Sequence, residues 1–163
     1  MKGHNLPPKD HIIRIVPYGR LAKDAEGNPI GLTAAAFQRK ETEEGLSVTW
    51  REYFAGTEYE RFIRAVRAIR ASKFPPGKRA GYAVGEVEAV ATACARRGHK
   101  VRIIHMPEDD NKAHAEIRQM PREDDILLED LATNSWCKLV LEATLPEGKE
   151  AAPDEEASRS ALL

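Results

Sequence analysis

The stretch Gly81-Tyr-Ala-Val-Gly-Glu86, Val87-Glu-Ala-Val-Ala-Thr-Ala-Cys-Ala-Arg-Arg97, Gly98, Lys100-Val-Arg-Ile-Ile-His-Met106 decides the fold class. Its first and last segments are short, apolar and bounded by glycine or proline, as strands are. Between them Val87, Val90, Ala91, Cys94 and Ala95 recur at helical spacing. Gly98 suits the position just past a helix end, and Arg96 and Arg97 suit its negative pole. Strand, helix and strand within about 25 residues predict either a βα crossover or an α+β unit. Pro107 ends the run.

Two further elements lie upstream. Thr57 with Glu60 forms a capping box opening a helix that runs to Ser72. Tyr59, Phe62, Ile63, Val66 and Ile69 share one of its faces. Leu46-Ser-Val-Thr-Trp50 alternates and predicts a half-buried strand with Leu46, Val48 and Trp50 inward. Ser47 and Thr49 then face the other way. Local sequence supplies no base to activate Ser47 as a nucleophile. His11-Ile-Ile-Arg-Ile-Val-Pro-Tyr18 is a β-branched strand, Asp24–Pro29 a turn cluster, and Leu32–Phe37 a short buried or helical turn.

Downstream, Pro121–Trp136 predicts a helix with acidic residues in its first turn and Ile126, Leu127, Leu131 and Trp136 on its apolar face. Leu139–Ala143 predicts a last strand. Residues 1–9 read as a frayed leader, 10–145 as one globular domain, and 146–163 as a disordered acidic tail. The expected fold is a single α/β or α+β domain, a small mixed sheet with about three helices on one face.

The chain has 163 residues, of which 42% are hydrophobic and 31% charged, enough apolar surface for one core. No apolar run reaches bilayer length, and residues 1–10 lack the apolar region of a secretory signal. Cys94 and Cys137 form no disulfide framework or zinc motif, which fits a reducing cytoplasm. Phosphate-loop, dinucleotide-binding, zinc-protease and nucleophile-elbow signatures are absent. No cofactor is indicated, and no membrane partner is expected.

The net charge of −1 hides an asymmetry. Residues 61–102 carry 11 basic and 2 acidic side chains, and residues 103–163 carry 6 basic and 15 acidic ones. Arg61, Arg64, Arg67 and Arg70 recur every third position along the predicted helix. Such a stripe attracts phosphate, or the acidic block neutralises it. The candidate ligand-binding residues are Arg64, Arg67, Arg70 and Arg102.

The candidate catalytic residues are His11, Arg14, His105 and His114. His105 closes a strand, the acidic run Glu108-Asp109-Asp110 follows, and His114-Ala-Glu116 comes next. A strand end beside an acidic loop is where binding groups gather, and a histidine there can act as a base near neutral pH. The two histidines with a carboxylate could hold a metal, but their spacing matches no metal-binding pattern, and no metal residue is assigned. His11 and Arg14, three apart on one strand, point to opposite faces unless a bulge intervenes. Arg14 in an apolar strand calls for a carboxylate partner or an anionic ligand.

Leu46-Ser-Val-Thr-Trp-Arg-Glu-Tyr-Phe54 and Asn111-Lys-Ala-His-Ala-Glu-Ile117, with His11 and Arg14, resemble small uncharacterised bacterial proteins over roughly residues 10–140. The resemblance implies a bacterial, single-domain, cytosolic protein and carries over no activity. Two functions stay open. One is a small domain that binds or acts on a phosphate-bearing ligand, a nucleotide or RNA. The other is a non-enzymatic interaction module whose opposite charge blocks select a protein partner. Convergence of the four catalytic candidates in one concavity separates them.

Overall fold

The computed structural model describes residues 3–136 and 138–148; the remainder of the acidic tail and Cys137 lie outside the described residues. Among the described residues eight strands and three α-helices follow one another as β1 (His11–Val16), β2 (Leu21–Lys23), β3 (Pro29–Leu32), β4 (Gly45–Trp50), α1 (Glu58–Arg70), β5 (Gly81–Glu86), α2 (Val87–Arg96), β6 (Arg102–His105), β7 (His114–Arg118), α3 (Asp125–Asp130) and β8 (Lys138–Leu141). Six strands form one sheet in the order β6-β7-β4-β1-β5-β8, and β2 pairs with β3 separately. Every described pairing is antiparallel. The fold is therefore α+β. Strands β5 and β6 are not neighbours, so α2 is no βα crossover.

The helices do not share one face, as the sequence suggested. Alternation along the strands divides the core in two. On one face Ile13, Tyr82 and Val84 pack against Phe62, Ile63, Val66 and Ile69 of α1. On the other, Ile12, Val16, Leu46, Val48, Ala115 and Ile117 pack against α2, α3 and Phe37. These are called the α1 face and the α2 face below. Both faces of β1 and β5 must be apolar for this, and His11–Val16 and Gly81–Glu86 are apolar on both.

Helix α1 begins at the expected cap. Thr57 Oγ1 accepts from the Glu60 amide at 3.2 Å, and Glu60 Oε1 accepts from the Thr57 amide at 3.2 Å. Tyr59, placed inward by periodicity, is instead 62% exposed in the first turn. Thr57→Ala is expected to lower the unfolding free energy by about 1 kcal/mol, measured by urea denaturation. A value near zero would mean that packing alone sets the start of the helix. Gly98 follows α2 with φ +82°, the left-handed geometry that ends helices. Gly85 is required for a different reason: a Cβ there would lie 3.0 Å from the Trp136 ring.

The helix expected over Pro121–Trp136 is shorter. It is capped at Asp124 and passes into a π-helical turn over Leu131–Ser135. Asp124 accepts from the Leu127 amide, from Arg97 and from His99. Those contacts, the Arg97 bond foremost, hold its carboxyl down to about 2 and join the end of α2 to the start of α3.

The segment before β1 is not frayed over its described part. The Gly3 amide donates to the His105 carbonyl, the His105 amide to His4, and the Leu6 amide to Ile103, so the segment lies along β6. At the other end, Arg70 donates to the carbonyls of Pro146 and Gly148 at 2.6 and 2.9 Å, fixing the first residues of the acidic segment to α1. Among the described residues no helix is long and apolar enough to cross a membrane.

Candidate functional site

The pairing registers locate the four catalytic candidates. In β1, His11 lies on the α1 face with Ile13, and Arg14 on the α2 face with Ile12 and Val16. Thr49 stands opposite His114 and also opposite Ile13, which puts His114 on the α1 face. His105 stands opposite Ala115 on the α2 face. The four side chains therefore do not converge, and a single catalytic constellation of His11, Arg14, His105 and His114 does not exist in this fold. For the same reason His105 and His114 cannot share a metal.

Their hydrogen bonds assign each a different state. His11 Nδ1 lies 2.9 Å from Arg51 Nη2 and 3.3 Å from Glu52 Oε2, and its amide donates to Glu52 at 2.6 Å, so the ring is held within an Arg51–Glu52 cluster. His105 Nε2 donates to the Lys112 carbonyl at 2.8 Å. Its Nδ1 has no partner among the described residues, and the ring packs against those of His4, Trp50 and Tyr53 at centroid distances of 5.1–5.8 Å. Burial, foremost, pushes the His105 ring below the usual imidazole range.

Arg14 donates from Nε to Ala36 O at 3.2 Å and from Nη1 to Ser47 O at 2.9 Å. Burial lowers its pKa to about 10. Backbone carbonyls thus serve where a carboxylate or anion was expected, and they close off the 3-10 turn over Ala34–Phe37.

The basic stripe is drawn inward. Arg70 is buried and bonds Glu142 at 2.7 Å as well as the two carbonyls noted above, so it is no ligand contact. Arg64 and Arg67 are half-buried, not the exposed centre of a stripe. Arg97 pairs with Asp124, so members of the basic and acidic blocks meet inside one domain. Arg102 is exposed on β6, opposite Arg118, which pairs with Glu44 and Glu116.

His114 differs from the other candidates. Its Nδ1 donates to Met106 O at 2.8 Å, so the neutral ring carries its lone pair on Nε2. Nε2 lies 3.6 Å from Glu108 Oε1. The ring borders a cavity of about 160 Å³ on the α1 face. Strands β1 and β4 supply its floor through Ile13, Ile15, Ser47 and Thr49. One wall is the end of α1 and the segment after it, with Ile69, Ser72 and Phe74; the other is the β6–β7 loop, with Glu108, Asp110 and Asn111.

The loop is held rigidly. Asn111 is buried, donates from Nδ2 to Thr49 Oγ1 at 3.1 Å and accepts the Ala113 amide at 3.1 Å. Glu108 and Asn111 exchange backbone bonds at 3.0 and 3.2 Å, and Asp110 accepts the Lys73 amide at 2.7 Å, clamping the two walls together. Sequence reasoning marked the acidic loop and His114, and Asn111 only as the start of the Asn111–Ile117 motif; it gave Ser72 and Phe74 no role in a site. Their role depends on α1 ending over β4, which no local pattern announces.

Buried Cys94 supplies no nucleophile, because burial pushes its thiol up to about 11. No protein-family model, curated protein or solved structure matches the chain.

Proposed function

We propose that the chain is a non-catalytic protein-recognition module that engages its partner through the α1-face cavity and its rim. The observation that carries this reading is Phe74, 84% exposed at the edge of a concavity whose floor and clamped walls come from four segments of the chain. An aromatic anchor beside a preformed pocket is a common arrangement at protein interfaces. The scatter of the catalytic candidates over two sheet faces favours recognition over chemistry. The cavity is also smaller than the roughly 300–1,000 Å³ of sites for drug-sized ligands such as a nucleotide. Its charged rim side chains, Glu108 and Asp110, repel phosphate.

The test is selection of a displayed random-peptide library on the immobilised full chain. Enriched peptides should bind in solution, and Phe74→Ala should weaken them about tenfold or more at unchanged melting temperature. No enrichment, or binding indifferent to Phe74→Ala, would overturn the reading. So would single-stranded RNA binding at low salt that disappears on Arg102→Glu, which would restore the phosphate function.

A further inference from the structure

We propose that the cavity between α1 and the β6–β7 loop receives the side chain of a lysine presented by the partner; this rests on the recognition reading above. Glu108 and Asp110 bring two carboxylates to the rim, and the hydroxyls of Ser47, Thr49 and Ser72 and the ring of His114 line the cavity beside them. Arg14 of β1 also borders the cavity. Its guanidinium is committed to carbonyls on the α2 face. An ammonium group brings three donors and one positive charge, and so matches carboxylate and hydroxyl oxygens and the two negative charges.

The rest of the lining matches the rest of the side chain. Ile13, Ile15 and Ile69 present apolar surface below the acceptors, and Phe74 stands at the mouth. A lysine buries its methylenes on such a surface while its head finds polar partners. Phe74 can cover the stem, and its ring face attracts a cation. The volume, about 160 Å³, suits one side chain rather than a whole small molecule. Arginine fits less well: its planar fork needs bidentate acceptors in one plane, whereas these acceptors come from a strand and a separate loop. The clamp from Asp110 to Lys73 and the bond from Asn111 to Thr49 fix the loop against the other wall and the floor before any ligand arrives. Preorganisation of this kind lowers the cost of binding.

The experiment is an NMR titration of the full chain with N-acetyl-lysine N-methylamide, with the norleucine, ε-acetyl-lysine and arginine counterparts, and with spermidine. The lysine compound should shift the amides of Ser47, Thr49, Asn111 and His114, and the norleucine and acetyl-lysine compounds should not. Glu108→Gln should weaken the lysine compound about tenfold without changing the melting temperature, since Glu108 is largely exposed. Equal responses to lysine and norleucine, shifts elsewhere on the molecule, or no response would overturn the assignment. Tighter binding of arginine or of spermidine would overturn it as well, in favour of a guanidinium or a free polyamine. If the lysine compound is silent while displayed peptides still bind in a Phe74-dependent way, this assignment fails and the recognition reading stands. If the lysine compound binds but no peptide is enriched, recognition fails and the cavity takes a free amine.

Discussion

Glu142→Gln is expected to destabilise the domain by about 3 kcal/mol, the usual consequence of removing one member of a buried ion pair. The carboxylate has two jobs at once. Its Oε1 accepts from Arg70 Nε at 2.7 Å, and its Oε2 accepts from the Tyr82 hydroxyl at 2.5 Å. Both partners are shielded from water, with Arg70 8% exposed and Tyr82 fully buried. An amide keeps one acceptor but turns the other into a donor, which then faces a donor. Burial first, and Glu142 second, hold the Tyr82 hydroxyl protonated well above the usual phenol range, so it cannot respond by ionising. Tyr82→Phe should cost less than Glu142→Gln, because it removes a donor and leaves the ion pair intact. Urea denaturation of both variants and of the double variant gives the coupling. A loss below about 1 kcal/mol for Glu142→Gln would show that water reaches Arg70 and that the segment over residues 142–148 is not firmly seated.

The second large effect is expected at Phe37. Phe37→Ala should cost about 3–5 kcal/mol. The side chain is wholly buried and stacks on the Trp136 ring at a centroid distance of 4.9 Å and an interplanar angle of 22°. It therefore joins the 3-10 turn over Ala34–Phe37 to the turn after α3, two pieces of irregular chain with few backbone bonds of their own. Removing the ring leaves a void between segments that cannot easily close around it. The same substitution should alter Trp136 fluorescence in the folded state. A loss under about 1 kcal/mol with unchanged emission would mean that the two turns repack without it.

Much of the architecture was legible because local signals were strong there. The capping box at Thr57 and Glu60, the alternation of Leu46, Val48 and Trp50, and the glycine after α2 each state their own geometry. Strand β7 was not legible. His114-Ala-Glu-Ile-Arg118 contains two apolar side chains, and it is a strand because β4 and β6 bond it from both sides. Without β7, the facing of His105 and His114 could not be known, since their relation depends on the register that sets His105 opposite Ala115. The separation of His11 from Arg14, by contrast, followed from strand parity alone. The destination of Arg14 did not: an acceptor pair made of the Ala36 and Ser47 carbonyls leaves no trace in residue identity. The charge blocks left a phosphate surface and a mutual pairing both open, and the structure supplies particular pairs, Arg70 with Glu142 and Arg97 with Asp124.

The chain segment lying along β6 has a bearing on how the protein behaves in a crowded solution. A strand at the margin of a sheet offers bare amides and carbonyls to any other extended chain, and this is a common route to aggregation. Here one margin is sealed by residues of the same chain, through the bonds from Gly3 and Leu6 to β6 and from β6 to His4. The opposite margin, β8, is only four residues long and opens with exposed Lys138, so it offers another sheet little length and a charge. Clipping the chain through Leu6 would therefore bare the β6 edge to other extended chains, and would also take one buried side chain out of the core.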